Sequence, residues 1–218
     1  IINMYSVDEL EDRLIDLAFA EDIGDGDHTT LCCIPEEAMG KSHLLIKEDG
    51  ILAGVEVAKR VFARFDPTMK VEVLMGDGTP VKKGDIAMVV TGKVRSLLQT
   101  ERLMLSIMQR MSGIATMTNR YVKRLEGTKT HVLDTRKTTP GMRMLEKQAV
   151  KIGGGMNHRI GLFDMILLKD NHVDFAGGIK NAITRCHEYL KEKNLDLKIE
   201  LEVRNFDELN QALEQGGI

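Results

Sequence analysis

The second half of the sequence repeats short apolar segments at a nearly constant spacing, and this feature constrains the fold most. The segments are HVLD (131–134), MILLK (165–169) and KIELEV (198–203), with centres 34 and 33 residues apart. Helical patterns lie between them, at 141–151 and roughly at 176–192. Strands that alternate with helices in this way form a parallel sheet or barrel. Closing a barrel takes about eight strands, so we expect the fold to require further strands after Ile218.

The first half of the sequence has a different pattern. Ser6-Val7-Asp8-Glu9 has the form of a helix capping box, and EDIGDGDHTT (21–30) lacks the Gly and Glu positions of an EF-hand loop, so we expect a capping turn there. A strand pair around Asp49-Gly50 is expected within 43–57, and short strands within 70–94. A methionine-rich helix follows over 96–125.

These patterns predict an α/β protein with two domains. We expect an N-terminal α/β sandwich-like domain over 1–110, including the long helix as a dimer contact, and the first part of a parallel α/β barrel over 111–218.

Composition excludes several functional classes. The net charge of −3 argues against a general nucleic-acid binder, and no run approaches the ~20 apolar residues that span a membrane. The N-terminus lacks the cationic and then apolar pattern of a secretory signal. The three cysteines are odd in number, and two are adjacent, which suits reduced thiols in the cytoplasm. We therefore expect a cytoplasmic protein that contacts neither nucleic acid nor membrane.

Positive charge is concentrated between residues 136 and 169. The cations are Arg136, Lys137, Arg143, Lys147, Lys151, Arg159 and Lys169, against the two anions Glu146 and Asp164. A local basic field attracts anionic ligands, although a solvated basic face would show the same pattern. Several of these cations follow predicted strands, where parallel α/β barrels assemble their sites. Arginine forks match planar carboxylates and phosphates, so we expect an anion site here.

Glu200 and Glu202 are two residues apart on the third predicted strand, so they lie on one face of that strand. Carboxylates that face a barrel interior are costly unless cations, a metal or ligand hydroxyls meet them. They could therefore bind ribose hydroxyls or Mg²⁺, or they could balance the charge of Lys169.

Four separated motifs resemble the quinolinate phosphoribosyltransferase family. They are ERLMLSIMQRMSGIAT (101–116), DTRKTTPGMR (134–143), GGGMNHRIGLFDMILLKDNH (153–172) and IELEV (199–203). The resemblance implies an α/β sandwich-like domain followed by an incomplete α/β barrel, and a homodimer, with a higher oligomer left open. It also implies the reaction of quinolinate and phosphoribosyl pyrophosphate, with Mg²⁺, to nicotinate mononucleotide, pyrophosphate and CO2 in NAD biosynthesis.

The resemblance also implies roles for the residues that bind quinolinate. Arg136 and Arg159 would hold the two carboxylates, with His158 nearby to orient the substrate by hydrogen bonding. Thr135 would belong to the same substrate-binding turn. Arg102 would reach into the site of the neighbouring subunit.

Three further residues are implied as catalytic. Lys137 and Lys169 would contact quinolinate or the phosphoribosyl donor, and Glu202 would lie on the ribose or metal side, with Glu200 the weaker candidate. The family's later aspartate and its glycine-rich phosphate loop lie beyond the equivalent of Ile218, so we expect a chain ending there to be inactive.

Three alternatives remain open from the residues. A nicotinate-type or molybdenum-associated paralogue would need fewer cations, because its substrate carries fewer carboxylates. A Schiff-base aldolase would use a desolvated Lys169. A protein that binds anions without catalysis would show tight binding and no turnover.

Overall fold

The computed structural model describes residues 4–218. By its internal contacts the chain divides into two compact units, one ending at His158 and the other running from Arg159 to Ile218. The mixed α/β class is confirmed. The predicted boundary between residues 110 and 111 lies inside the helix Val94–Arg124, and stays a prediction.

The first unit begins with two helices, each of which is capped as the sequence predicts. α1 (Val7–Ile23) starts at Ser6, whose hydroxyl and backbone form a capping box with Glu9. α2 (His28–Cys33) starts at Asp27, whose carboxylate accepts a hydrogen bond of 3.1 Å from the Thr30 N–H. The expected capping turn is therefore present at residues 24–27, whereas the two ends of EDIGDGDHTT belong to α1 and α2.

The strands of the first unit form two antiparallel sheets. The elements are β1 (Met39–Leu45), β2 (Gly50–Ile51), α3 (Val55–Phe65), β3 (Lys70–Val73), β4 (Pro80–Val81), β5 (Ile86–Lys93), α4 (Val94–Arg124) and α5 (Arg143–Ile152). One sheet has the order β1-β5-β3, and β2 pairs with β4. The predicted strands within 70–94 and the predicted long helix are confirmed.

The predicted strand pair around Asp49-Gly50 is wrong, because β1 and β2 pair with other strands and not with each other. After β1, Ile46 exchanges backbone hydrogen bonds with the turn before β5, at Gly84 and Asp85. The Asp49 carboxylate accepts a hydrogen bond of 2.9 Å from the Lys83 N–H. Asp49 thus stabilises a long-range contact, and the local turn that its sequence suggests does not form.

The core of the first unit packs α3 and α4 against the sheets. α4 contributes a buried stripe at helical spacing, namely Met104, Ile107, Met108, Met111 and Ala115. α5 adds Leu145 and Ala149 to the same core. The methionine-rich segment is therefore core, which is the more common use of such a pattern.

The second unit contains β6 (Ile166–Leu168), α6 (Asp170–Ala176), α7 (Ile179–Lys193), β7 (Ile199–Leu201) and α8 (Phe206–Gln215). β6 and β7 pair in parallel, with Ile166 opposite Ile199, so the second and third predicted strands are confirmed. The first predicted strand, 131–134, belongs to the other unit and forms only a single parallel bridge, between Leu133 and Met156. Among residues 4–218, no helix is both long and apolar enough to cross a membrane.

Candidate anion-binding site

Two loops of the first unit, 134–139 and 156–158, lie side by side. The Met156 N–H donates to the Val132 carbonyl (2.8 Å), and the Asp134 N–H donates to the Met156 carbonyl (3.2 Å). The His158 N–H then donates to the Asp134 carboxylate (2.8 Å). This short parallel ladder brings His158 next to the segment that carries Thr135, Arg136 and Lys137.

A buried ion pair fixes the junction of these loops. The Lys147 side chain is only 2% exposed, and its ammonium lies 2.5 Å from the Asp134 carboxylate. The same ammonium donates to the His158 carbonyl at 3.4 Å. With the Asn157 amide oriented so that its NH2 group faces the acceptors, it donates to Asp134 Oδ2 (2.8 Å) and to the Lys147 carbonyl (2.9 Å). Asp134 is therefore held on both oxygens.

The arginine of the DTRK segment has an unusual environment. The Nε–H group of Arg136 is buried and has no hydrogen-bond partner within residues 4–218. Buried donors are almost always paired, and a guanidinium can only donate. Next to it, the Thr135 hydroxyl accepts a hydrogen bond from the Lys137 N–H (3.1 Å), which closes a tight turn. The Lys137 side chain is exposed and has no partner in the described chain. These cations are available to an anion.

Glu146 and Arg143 of α5 hold the far end of the segment. Glu146 accepts hydrogen bonds from the Thr139 N–H (3.1 Å) and from the Arg110 guanidinium (3.0 Å). Burial alone would raise the pKa of Glu146, but hydrogen bonds from Thr139 and Arg110 outweigh it and hold the pKa of this carboxyl below its ordinary value. The Arg143 guanidinium donates to the Thr138 hydroxyl (2.9 Å) and to the Arg136 carbonyl (3.3 Å).

The second unit begins at Arg159, which is 8% exposed. The turn after it is closed by Asp164, whose carboxylate accepts from the N–H groups of Ile160 (2.8 Å) and Gly161 (2.9 Å). A buried guanidinium at the start of a fixed turn suits an anionic ligand.

Lys169 and Glu202 meet at the carboxyl ends of the two parallel strands. The Glu202 N–H donates to the Leu168 carbonyl (2.9 Å), which continues the pairing of β6 and β7. The Lys169 ammonium lies 3.9 Å from the Glu202 carboxylate, and both side chains are about half exposed, at 47% and 56%. The expected charge balance is therefore present. A half-exposed lysine beside a carboxylate is not the desolvated nucleophile that an aldolase needs.

Glu200 lies on the exposed side of β7, whereas Ile199 and Leu201 pack into the core of the second unit. Glu202, just after β7, is exposed like Glu200, and their placement on one face stays a prediction. Within residues 4–218, no group of three or more His, Cys, Asp or Glu side chains is arranged to hold a metal ion. A Mg²⁺ bound here would need oxygen ligands from the substrate as well as from Glu202.

Arg102 is exposed on α4, one turn from Leu98 and nearly one turn from Leu105. Its guanidinium forms no hydrogen bond or ion pair with any of residues 4–218, and it is set apart from the contacts of the 134–139 segment described above. Leu98 is also 45% exposed, so this side of α4 presents both apolar and cationic surface.

Together, the α/β fold and the cations that have no partner within residues 4–218 are typical of α/β proteins with anion sites at strand ends. The family model "Quinolinate phosphoribosyl transferase, N-terminal domain" matches residues 27–112, and the corresponding C-terminal domain matches residues 114–217. The chain belongs to the quinolinate phosphoribosyltransferase family.

Individual relatives agree with this assignment. The chain is 46% identical over 202 residues to the Arabidopsis thaliana protein named nicotinate-nucleotide pyrophosphorylase (carboxylating), chloroplastic. The aligned residues make up 92% of this chain and 58% of that relative. It thus spans little more than half of the plant protein.

Solved structures confirm the fold. NadC from Streptococcus pyogenes is 37% identical with a TM-score of 0.89, and the match covers 99% of this chain and 75% of that one. The nicotinate-nucleotide pyrophosphorylase from Francisella tularensis is 40% identical with a TM-score of 0.87, over 98% and 74% of the two chains.

Proposed function

We propose that the protein to which this chain belongs transfers the phosphoribosyl group of phosphoribosyl pyrophosphate to quinolinate, with decarboxylation to nicotinate mononucleotide. The observation that carries the proposal is the buried, unpartnered Nε–H of Arg136 on the DTRK turn. A planar carboxylate would satisfy it and would compensate the guanidinium charge. Quinolinate has two adjacent carboxylates, which matches a site rich in fixed cations.

The candidate residues fall into two groups, one for quinolinate and one for the phosphoribosyl donor. Arg136, Arg159 and the neighbouring Thr135 and His158 would bind the quinolinate carboxylates. Arg102, which has no partner in the described chain, would complete the site of a partner subunit in a homodimer or larger oligomer. The relatives named above as nicotinate-nucleotide pyrophosphorylases support the same chemistry.

The donor would be held by Lys137, Lys169 and Glu202, the three residues proposed as catalytic. The lysines would bind phosphate oxygens, and Glu202 would accept hydrogen bonds from ribose hydroxyls. Mg²⁺ bound beside Glu202 would neutralise the charge of the departing pyrophosphate. The Lys169–Glu202 separation of 3.9 Å leaves the carboxylate half exposed, so Glu202 can still meet a cation or a hydroxyl.

The reaction needs positioned cations more than an acid–base pair. The pyridine nitrogen forms a bond to the anomeric carbon as the bond from that carbon to pyrophosphate breaks, and fixed lysines stabilise the leaving charge. The ring nitrogen is then cationic. Loss of the adjacent carboxylate as CO2 leaves an electron pair on the ring carbon, which the ring charge stabilises until a proton is added. Holding the two substrates in line supplies much of the rate.

The location and partners are part of the proposal. All three cysteines are free thiols, which supports a reducing compartment such as the cytoplasm. We propose no membrane or nucleic-acid partner. Separating cell extract into cytosolic, organellar and membrane fractions and assaying each would test the location.

The test uses protein expressed from the complete coding sequence. Quinolinate labelled in its 2-carboxylate should release labelled CO2 only when phosphoribosyl pyrophosphate and Mg²⁺ are present. Arg136→Ala should abolish the release, whereas Arg124→Ala, at the exposed end of α4, should leave it unchanged. Conversion of nicotinate in place of quinolinate would assign the paralogue's activity, and no turnover of either acid would refute the proposal.

A further inference from the structure

One face of α5 contacts the 134–139 segment at several points. Arg143, Glu146 and Lys147 are spaced by three and four residues, so they share a side of the helix. Each contacts a different part of the segment: Lys147 binds Asp134, Arg143 binds Thr138 and the Arg136 carbonyl, and Glu146 binds Thr139. The segment is thus fastened at its beginning, middle and end.

The helix itself is fixed to the rest of the first unit. Leu145 and Ala149 are buried in the main core, and Arg110 of α4 bonds to Glu146. A segment held at three points by a rigid helix has few alternative conformations, so the direction of Arg136 is set before any ligand arrives. Pre-set groups avoid the cost of ordering them on binding.

We propose that this face of α5, with Lys147 at its centre, is a positioning element for the substrate site. The buried ammonium of Lys147 fixes the Asp134 carboxylate, and Asp134 in turn fixes the adjacent Arg136 turn and the His158 backbone. These residues do not touch the reacting atoms. They act through Arg136 and His158, so the inference rests on the proposed function.

A purely structural role for the ion pair makes a different prediction. Replacing only Lys147 would leave a buried unpaired carboxylate and destabilise the protein, which would not distinguish the two roles. Replacing both partners, as Asp134→Asn with Lys147→Met, removes the buried charges together and often restores stability. If the pair served stability alone, this double variant would recover both the melting temperature and the kinetics.

The first experiment measures kcat and the KM for quinolinate, together with the melting temperature, for the full-length enzyme and the double variant. We expect a melting temperature near that of the wild type and a KM for quinolinate raised about tenfold or more, because small displacements of binding groups have large effects. The equilibrium Kd for quinolinate alone should rise by a similar factor. A folded double variant with unchanged KM and Kd would overturn the inference.

A milder pair of variants tests the same element if the double variant does not fold. Thr138→Val keeps the side-chain shape but removes the oxygen that accepts from Arg143, so the KM for quinolinate should rise about two- to tenfold, as for the loss of one hydrogen bond. Thr128→Val, a matched change in the turn after α4, should not alter it. Equal KM values for both variants and wild type would refute the positioning role. An inactive wild-type enzyme would instead refute the proposed function, which keeps the two failures separate.

Discussion

Gly153 brings the end of α5 so close to α4 that a single added methyl group has a calculable effect. Its backbone φ of −74° suits any residue, so the effect of Gly153→Ala is steric. The added Cβ would lie 2.4 Å from the Ala115 carbonyl oxygen and 2.9 Å from the Thr118 Cβ. These atoms belong to the backbone and to a β-branched side chain in a helix, and neither can rotate away. The backbones must separate, which weakens the hydrogen bond from Asn119 to the Gly153 carbonyl (3.2 Å).

The expected cost is that of overpacking a closely packed contact, about 1–3 kcal/mol. For a chain of this size, 1 kcal/mol shifts the melting temperature by roughly 2–4 °C, so Gly153→Ala should lower it by about 2–12 °C. Differential scanning calorimetry of the purified protein measures this shift.

Gly113→Ala provides the matched control. Gly113 lies within α4, and a Cβ there would have no neighbour within 4 Å. Alanine is favoured over glycine in a helix by roughly 0.5–1 kcal/mol, so this variant should melt about 1–4 °C above the wild type. If Gly153→Ala melted at or above the wild-type temperature, the close approach of α5 to α4 would be refuted.

Three further results are expected. Arg110→Ala should lower the melting temperature at pH 7. The difference from wild type should shrink as the pH falls below 4.5, because the pKa of Glu146 is lowered in the folded state and the stabilisation is lost when this carboxylate protonates. A difference that stayed constant with pH would contradict this. Burial raises the pKa of Glu11 above its ordinary value of 4.5, so the wild type loses stability as the pH rises above about 4.5, and in thermal melts Glu11→Gln should gain stability relative to wild type over that rise. Burial also raises the pKa of the Cys186 thiol, so a disulfide reagent at about pH 7.5 should modify Cys32–Cys33 roughly tenfold or more faster than Cys186.

The features predicted correctly from the sequence are those with local causes. Ser6 and Glu9 form the capping box because both partners lie within one helical turn. The long helix α4 follows from apolar residues at helical spacing. The parallel pair β6 and β7 follows from two apolar segments separated by a helical pattern.

The features that were missed depend on distant partners. The sequence predicts a local turn at Asp49, but its carboxylate accepts a hydrogen bond from the backbone N–H of Lys83, which lies 34 residues away. The sequence places Lys147 in the cluster of cations that predicts an anion site, although its side chain is almost completely buried and paired with Asp134. Lys147 is two residues from both Leu145 and Ala149, which places it on the opposite side of α5 from these apolar residues. Helical spacing therefore gives no signal for its burial, and only the fold shows that Asp134 meets it.

The pairing of the nearby carboxylates explains why Arg136 and Lys137 can stand side by side at a strand end. Asp134 is the anion closest to them in sequence, but its charge is taken up by Lys147. Glu146, the next anion in the chain, pairs with Arg110 instead. Neither Arg136 nor Lys137 forms an ion pair with any of residues 4–218. Lys137 is exposed and Arg136 is half-buried, so both charges remain open to an anion from outside the chain, and such an anion would also satisfy the buried Nε–H of Arg136. The internal ion pairs therefore do not neutralise the site. They fix its geometry and leave its positive charge available to an anionic ligand.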